Sequence, residues 1–333
     1  MKNSVTLNIQ TVAGLLDGDN VPGAVVGVLE NDGSSSVIAA GIRGDGLGPV
    51  GEDTVFAAAS LTKPVFATAV MTLVDDGTLD LDRPLSTYGA DSWLAEDARS
   101  DSITARMALS HTTGFPNWRD NDGLYVRWQP GTRWGYSGEG FAYLWSVVHR
   151  VLGVDIDEFM VDKVFGPLGM TDSSFAWRAD FPARIAVGHD RHGAALPRDV
   201  WPSYKAPAGA LYTTAGDYLR FLAHSLSRSQ HMFEPQARID DELAWGLGWG
   251  IEEADGDRAV WQWGNDPGYK NFVIGRPGDR RGLVVFTNGD RGAAVYSEIV
   301  RQLFPTPHPS LDAESRRSWL IAFAPRAVGP SDT

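Results

Sequence analysis

Val55-Phe56-Ala57-Ala58-Ala59-Ser60-Leu61-Thr62-Lys63-Pro64-Val65-Phe66-Ala67 is the stretch on which the reading of this chain turns. Its first five residues form a short apolar run. From Ser60 the apolar spacing becomes helical and continues to Asp75, with Val65, Ala69 and Leu73 on a mostly buried face and Gly77 as a C-terminal cap. Pro64 sets the start, because proline's missing N–H is tolerated in a first helical turn and not deeper. Ser60 is therefore expected in that first turn, where free backbone N–H groups and the helix dipole favour developing negative charge. Lys63 follows on the same face. A Ser-x-x-Lys also fits a helix cap beside a surface lysine. Here the lysine is flanked by Val, Phe and Ala, which argues for burial. Burial lowers an ammonium's pKa, and a neutral amine can accept a serine proton.

Two further segments bear on this pair. Trp134-Gly135-Tyr136-Ser137-Gly138 brings a phenol that ionises more easily beside a cation and can relay a proton. Taken alone, Tyr136 reads as a core aromatic. The same segment fails as a Gly-x-Ser-x-Gly nucleophile elbow, because Glu139 follows Gly138 and a helix, not a strand, leads on. Trp261-Gln262-Trp263-Gly264-Asn265-Asp266-Pro267-Gly268 reads as a strand whose glycine lets a substrate approach the backbone. A backbone N–H there, with that of Ser60, would form an oxyanion hole.

Working outward, residues 5–16 carry a helical stripe that Pro22-Gly23 breaks. Ala24 to Leu29 reads as a strand, Asn31-Asp32-Gly33 as a hairpin turn and Ser36 to Ala40 as its return. Gly41 to Gly51 is a glycine-rich loop without a complete dinucleotide fingerprint. Helices are expected over Thr104 to Leu109, Phe141 to Leu152 (closed by Gly153), Ile156 to Val164, Thr214 to Ser227 and Ala293 to Phe304. Residues 115–135 and 171–206 read as irregular, and the chain from Pro305 as less ordered. Ala259 to Trp263, Asn271 to Gly275 and Gly282 to Thr287 read as successive strands. Strands at both ends with helices between them imply an α+β fold, an α-β sandwich. One antiparallel sheet is built from both chain ends with flanking helices, beside a mainly helical inserted domain. The expected organisation is a single unit over 1–333, with a sheet lobe roughly 1–60 and 205–304 and a helical lobe roughly 61–204.

Composition narrows the function. A formal net charge of −13 repels phosphate backbones and anionic lipid, so no nucleic-acid or membrane partner is expected. The absence of Cys excludes disulfides, thiolate nucleophiles and Cys-ligated zinc. No apolar run reaches the roughly 20 residues that span a bilayer. The start, MKNSVTLNIQTVAGLL, lacks a signal-peptide pattern and reads as cytoplasmic, although a leader removed beforehand would leave the same appearance.

The order and spacing of the three segments resemble the serine β-lactamase and penicillin-binding protein superfamily, in its class C β-lactamase and family VIII carboxylesterase branch. LSHTTGFPNW (109–118), AGALYTTAGDYLRF (208–221) and GLGWG (246–250) extend the likeness over almost the whole chain. The resemblance implies a helical domain beside an antiparallel sheet with the site at their junction. It makes Ser60 the nucleophile and Lys63 and Tyr136 the general base and proton shuttle. Ser60 and Asn265 would supply the oxyanion N–H groups, and Gln262-Trp263-Gly264 would occupy the Lys/His-x-Gly position. Gln262, Trp263, Gly264, Gly138 and Trp118 are candidate substrate contacts. No metal or cofactor is implied. Two departures stand out: Gly138 replaces the Asn of the usual Tyr-x-Asn, and Gln262 replaces the usual cation. Both removed groups help hold a β-lactam's amide and carboxylate, so an ester or a neutral amide suits this site better.

Three readings follow: a carboxylesterase or amidase, an acyltransferase that passes the acyl group to an amine or alcohol, and a non-catalytic homologue. Retention of Ser60, Lys63 and Tyr136 argues against the last. His111 reads as structural, and His189 with His192 as a solvated loop pair. Trp118, Trp128, Trp134, Trp249 and Trp263 are candidates to line a pocket. Glu139 and Asp266 are possible hydrogen-bond supports. The sequence gives no oligomeric state.

Overall fold

The computed structural model describes residues 7–89, 97–119, 123–198, 205–254 and 256–311. The first hairpin is β1 (Gly23–Leu29) and β2 (Ser35–Gly41). A two-stranded pair joins β3 (Phe56–Ala57) to β4 (Tyr212–Thr213). The C-terminal third supplies β5 (Ala237–Arg238), β6 (Leu243–Trp245), β7 (Gly250–Ala254), β8 (Asp257–Asp266), β9 (Tyr269–Arg276) and β10 (Arg281–Thr287). The main sheet runs β2-β1-β10-β9-β8-β7-β6-β5. Its pairings are antiparallel, with Val26 opposite Val285 and Trp263 opposite Phe272. Both chain ends therefore build one sheet, as the sequence implies.

β1 is apolar throughout because both its faces are covered. Val25 and Leu29 join a core with Leu219, Leu222 and Leu226 of α8 (Ala215–Arg228). Ala24, Val26 and Val28 face Val12 and Leu16 of α1 (Ile9–Asp19) and Val295 and Ile299 of α9 (Gly292–Leu303). Strand period and helix stripe thus agree, which is what specifies register. Gly27 and Gly275 lie under α8; a Cβ on either would press on Leu219 or Leu226 within 3 Å.

Between the two parts of the sheet come α2 (Thr62–Asp75), α3 (Ala105–Leu109), α4 (Gly138–Leu152), α5 (Ile156–Met160), α6 (Gly166–Leu168) and α7 (Ala206–Gly209). Phe66 of α2 centres their packing, with ring centroids 6.1 Å from Phe141, 6.3 Å from Trp145 and 6.4 Å from Phe159. Among the described residues no helix is long and apolar enough to cross a membrane.

Several local expectations shift. The first helix begins at Ile9, where Asn8 Oδ1 accepts from Thr11 N–H at 2.9 Å, and it continues to Asp19; residues 5 and 6 lie outside the described set. α4 begins at Gly138, three residues before the expected start, because Ser137 Oγ caps Gly140 N–H at 3.0 Å. β5, β6 and β7 were not expected. They are short, and β7 carries Glu252, a buried carboxylate that breaks the apolar pattern. Glu252 also orders the segment after Pro305, accepting from His308 Nδ1 at 2.6 Å and Ser310 N–H at 3.0 Å. The remainder of that expectation, 312–333, lies outside the described residues, as do 199–204 of the irregular middle and 120–122 of the aromatic loop.

Candidate active site

Ser60 does not sit within α2 itself. It occupies a tighter 3-10 turn, Ala59–Leu61, that runs directly into the helix. The cause is Ala59, whose φ of +51° turns the chain sharply just before the serine. A left-handed alanine is strained and persists only where its surroundings fix it. They do so here. Asn271 Nδ2 donates to the Ala57 carbonyl at 2.9 Å, Ala58 N–H to Leu211 O at 2.8 Å and Tyr218 Oη to Leu61 O at 2.9 Å. Thr62 Oγ1 donates to Ala59 O at 2.6 Å and accepts from Leu211 N–H at 3.1 Å. β8 presses on the same turn through Gly264, where any Cβ would overlap the Ala58 carbonyl oxygen. That glycine is required for packing as well as for access.

Lys63 is wholly buried, and its Nζ lies 3.0 Å from Ser60 Oγ and 2.8 Å from the Ala208 carbonyl oxygen. The Tyr136 ring centroid is 4.8 Å from that Nζ. Burial lowers the Lys63 pKa to about 7, against a smaller upward pull from the Asp266 carboxylate. Such an amine holds a substantial neutral population near neutral pH. The neutral form has a lone pair to offer Ser60 while one N–H remains on Ala208.

Tyr136 precedes the Ser137 cap of α4 and is 5 % exposed. Its hydroxyl accepts from Gln262 Nε2 at 3.0 Å, and the side chain shares a cavity wall with Ser60. Burial pushes its pKa up, and the Ser60 and Gln262 side chains only partly offset this. Tyr136 is therefore a neutral phenol. Contrary to the expectation from sequence, the nearby lysine does not acidify it, because desolvation is the larger effect and Lys63 itself is largely relieved of its charge.

His111 packs on this phenol, ring centroids 4.3 Å apart. Its Nδ1 accepts from Ser137 N–H at 3.0 Å, which puts the ring proton on Nε2. Burial, then the charge of Lys63, hold its pKa well below the usual value. The ring supports Tyr136 and the α4 cap as an uncharged body.

A cavity opens over Ser60, lined by Asn117, Trp118, Tyr136, Gly209, Trp263 and Asn265 among others. Of the candidate contacts, Trp118 and Trp263 line it and Asn265 stands exposed at its wall. Gln262 does not reach it. That side chain is fully buried and bonds Tyr136 and the Trp263 carbonyl, each at 3.0 Å. Gly264 and Gly138 act through what they leave vacant. The Trp118 indole covers Gly138, and a Cβ there would lie 2.5 Å from Trp118 Cη2. The space of the absent Asn side chain is thus filled by an aromatic ring. Glu139, fully buried, holds Arg119 with a 2.5 Å ion pair and so fixes the loop that carries Trp118.

Other aromatic candidates lie elsewhere: Trp249 is in the core against Phe221, and Trp134 packs on Trp245. His189 is not solvated as expected. It is 2 % exposed, with Nδ1 3.0 Å from the Asn288 carbonyl oxygen, because its loop bridges to Gly289 at the sheet's end; His192 is exposed. Asn117 and the Ala208 carbonyl were missed. Asn117 Oδ1 accepts from Gly138 N–H at 2.9 Å and lies within the quoted 109–118 motif, whereas a backbone carbonyl leaves no trace in residue type.

The chain belongs to the beta-lactamase family, whose model matches residues 8–303. It is 26 % identical over 326 residues to penicillin-binding protein 4 of Amycolatopsis lactamdurans, covering 85 % of each chain. It is 28 % identical over 305 residues to esterase EstB of Burkholderia gladioli, covering 68 % of this chain and 75 % of that one. The fold is shared with a D-alanine carboxypeptidase AmpC from Burkholderia cenocepacia at a TM-score of 0.79 and 20 % identity, over 89 % of this chain and 97 % of that one. The family is one of serine hydrolases and acyltransferases, and both esterases and an acyltransferase stand among the relatives.

Proposed function

We propose that this protein is a serine acyl-transfer enzyme that cleaves an ester or neutral amide through an acyl-Ser60 intermediate resolved by water. One observation carries the reading: Lys63 Nζ lies 3.0 Å from Ser60 Oγ and 4.8 Å from the Tyr136 ring centroid, in a buried setting that keeps the lysine near its neutral form. Ser60 Oγ attacks the carbonyl carbon as its proton passes to Lys63. The oxyanion is held by the N–H groups of Ser60 and Asn265, worth about 10²–10³ in rate per donor. Tyr136, a neutral phenol steadied by Gln262, relays the proton to the leaving alcohol or amine. Water then attacks the acyl carbon, and the same groups return the proton to Ser60.

With Gln262 uncharged and turned away from the cavity, and Trp118 filling the space over Gly138, neither position offers a β-lactam's amide or carboxylate a partner, which favours esters and neutral amides. A second reading, transfer to an amine or alcohol, is favoured by a further cavity that shares Gly209 and Asp266 with the first and gives room for an acceptor.

Intact mass after fluorophosphonate or p-nitrophenyl acetate treatment tests the shared step. One adduct is expected on the native protein and none on Ser60→Ala; an adduct that persists in Ser60→Ala rejects the assignment. Candidate amines added to the acyl-enzyme then separate the readings. Aminolysis outrunning hydrolysis indicates transfer, and negligible aminolysis across acceptors leaves hydrolysis.

A further inference from the structure

The loop that carries Asn117 is tied to the start of α4 at three points. Ser137 Oγ donates to the Pro116 carbonyl oxygen at 2.8 Å. The N–H groups of Gly138 and Glu139 donate to the Asn117 carbonyl oxygen at 3.0 and 3.1 Å. Arg119 N–H donates to Glu139 Oε1 at 2.9 Å. Gly138 N–H is shared with the Asn117 side chain, lying 2.9 Å from Oδ1. An N–H must face an acceptor, so this bond fixes which end of the amide is oxygen. Nδ2, with its two N–H donors, is turned away from the helix start.

Asn117 lines the cavity over Ser60 and is partly exposed. Among the described residues its side chain has no hydrogen-bond partner besides Gly138. The other polar side chains of that wall do not duplicate its donors. Ser60 and Tyr136 serve the reacting atoms, and Asp266 is a carboxylate, which accepts. Asn265 carries the same amide, but it is exposed and among the described residues no hydrogen bond holds its side chain. It would lose rotamer freedom on meeting a substrate, whereas Asn117 has already lost that freedom to Gly138.

A fixed amide donor beside a nucleophile selects an acceptor at one place on the substrate. We propose that Asn117 determines specificity, its Nδ2 donating to a neutral carbonyl or ether oxygen that the substrate bears near the group attacked by Ser60. A neutral acceptor is specified because the Asp266 carboxylate in the same wall repels an anionic one. The proposal rests on the acyl-Ser60 reading and adds to it a functional group that the substrate must carry.

The test uses pairs of esters that differ only in a ketone oxygen or the methylene that replaces it. One pair, p-nitrophenyl levulinate and its methylene isostere, carries the oxygen on the acyl side. The other, acetonyl acetate and methallyl acetate, carries it on the alcohol. The readout is the ketone-over-methylene ratio of kcat/KM in the native protein divided by the same ratio in Asn117→Asp. Intrinsic ester reactivity and the fraction of folded enzyme both cancel in this quotient. Asn117→Asp retains the oxygen that meets Gly138 N–H and replaces the two donors by an acceptor. A quotient of at least ~3 is expected in one pair, which identifies the half of the substrate that Asn117 reads. Asn117→Ala, which adds no charge, should shift the ratio in the same direction. Asn265→Ala, which retains its backbone N–H, should leave the ratio at its native value. If Asn117 only caps α4, the quotient is one. A quotient below ~3 in both pairs, no shift in Asn117→Ala, or a preference lost in Asn265→Ala instead, overturns the proposal. Failure of p-nitrophenyl acetate to acylate Ser60 is a different result and removes the underlying reading instead.

Discussion

Gly138 and Trp118 exclude one another's neighbours: a Cβ on residue 138 would stand 2.5 Å from Trp118 Cη2. The departure at position 138 and the aromatic wall over Ser60 are therefore one feature. Gly138→Asn is expected to cost ~1–3 kcal/mol of stability by overpacking and about 10–100-fold in kcat/KM. Adding Trp118→Ala should recover most of the stability loss. A double-mutant cycle by chemical denaturation checks this, and strictly additive losses would show that the two positions do not compete.

Lys63 sets an acid limb. Its folded pKa of about 7 predicts that kcat/KM for a neutral ester rises with pH and levels off above about 7. A limb centred near the pKa of a solvated lysine would contradict the buried-base assignment.

The same lysine has a stability signature. Its folded pKa lies below the ordinary lysine value of 10.5, so between about 7 and 10.5 the unfolded chain binds the extra proton and stability rises with pH. Below about 7 the penalty is complete and of order 5 kcal/mol. Lys63→Met is expected to abolish activity yet stabilise the fold by a few kcal/mol at pH 6, with most of the gain gone by pH 10. Urea denaturation at both pH values measures it; equal differences at the two would refute the linkage.

Gln262→Leu removes the donor that steadies Tyr136. The expected cost is about 10-fold in kcat/KM with KM little changed, since Gln262 does not line the cavity. A change confined to KM would return Gln262 to the role of substrate contact.

Gly264→Ala forces β8 off the Ala58 carbonyl and so moves the oxyanion strand relative to Ser60. The acylation burst is expected to slow by ~10²-fold or more, while far-UV circular dichroism remains native-like. An unaltered burst rate would mean that the turn tolerates the added methyl.

Much of this was legible in the chain. Ser60 and Lys63 share a face because helical spacing requires it, and Pro64 located that helix start to within two residues. β1, β8, β9 and β10 announced themselves as apolar β-branched and aromatic runs. What escaped has physical causes. The left-handed Ala59 is imposed by tertiary hydrogen bonds, and nothing in an alanine advertises a positive φ. β5 to β7 are too short for periodicity to show, and a buried Glu252 reads as exposed until His308 and Ser310 arrive from 56 and 58 residues away. Tyr136 looked acidic by charge proximity, because desolvation is invisible before packing is known.

The order of the sheet also has a consequence for biogenesis. β1 is flanked by β2 and β10, and Ser60 must wait for Tyr136 and then for Asn265 of β8. A ribosome translating this message therefore carries a nascent chain with Ser60 and Lys63 already synthesised but without β8. On the acyl-Ser60 proposal, acyl chemistry would be withheld until β8 has been made, so shorter nascent chains would neither consume substrate nor trap it as dead-end esters.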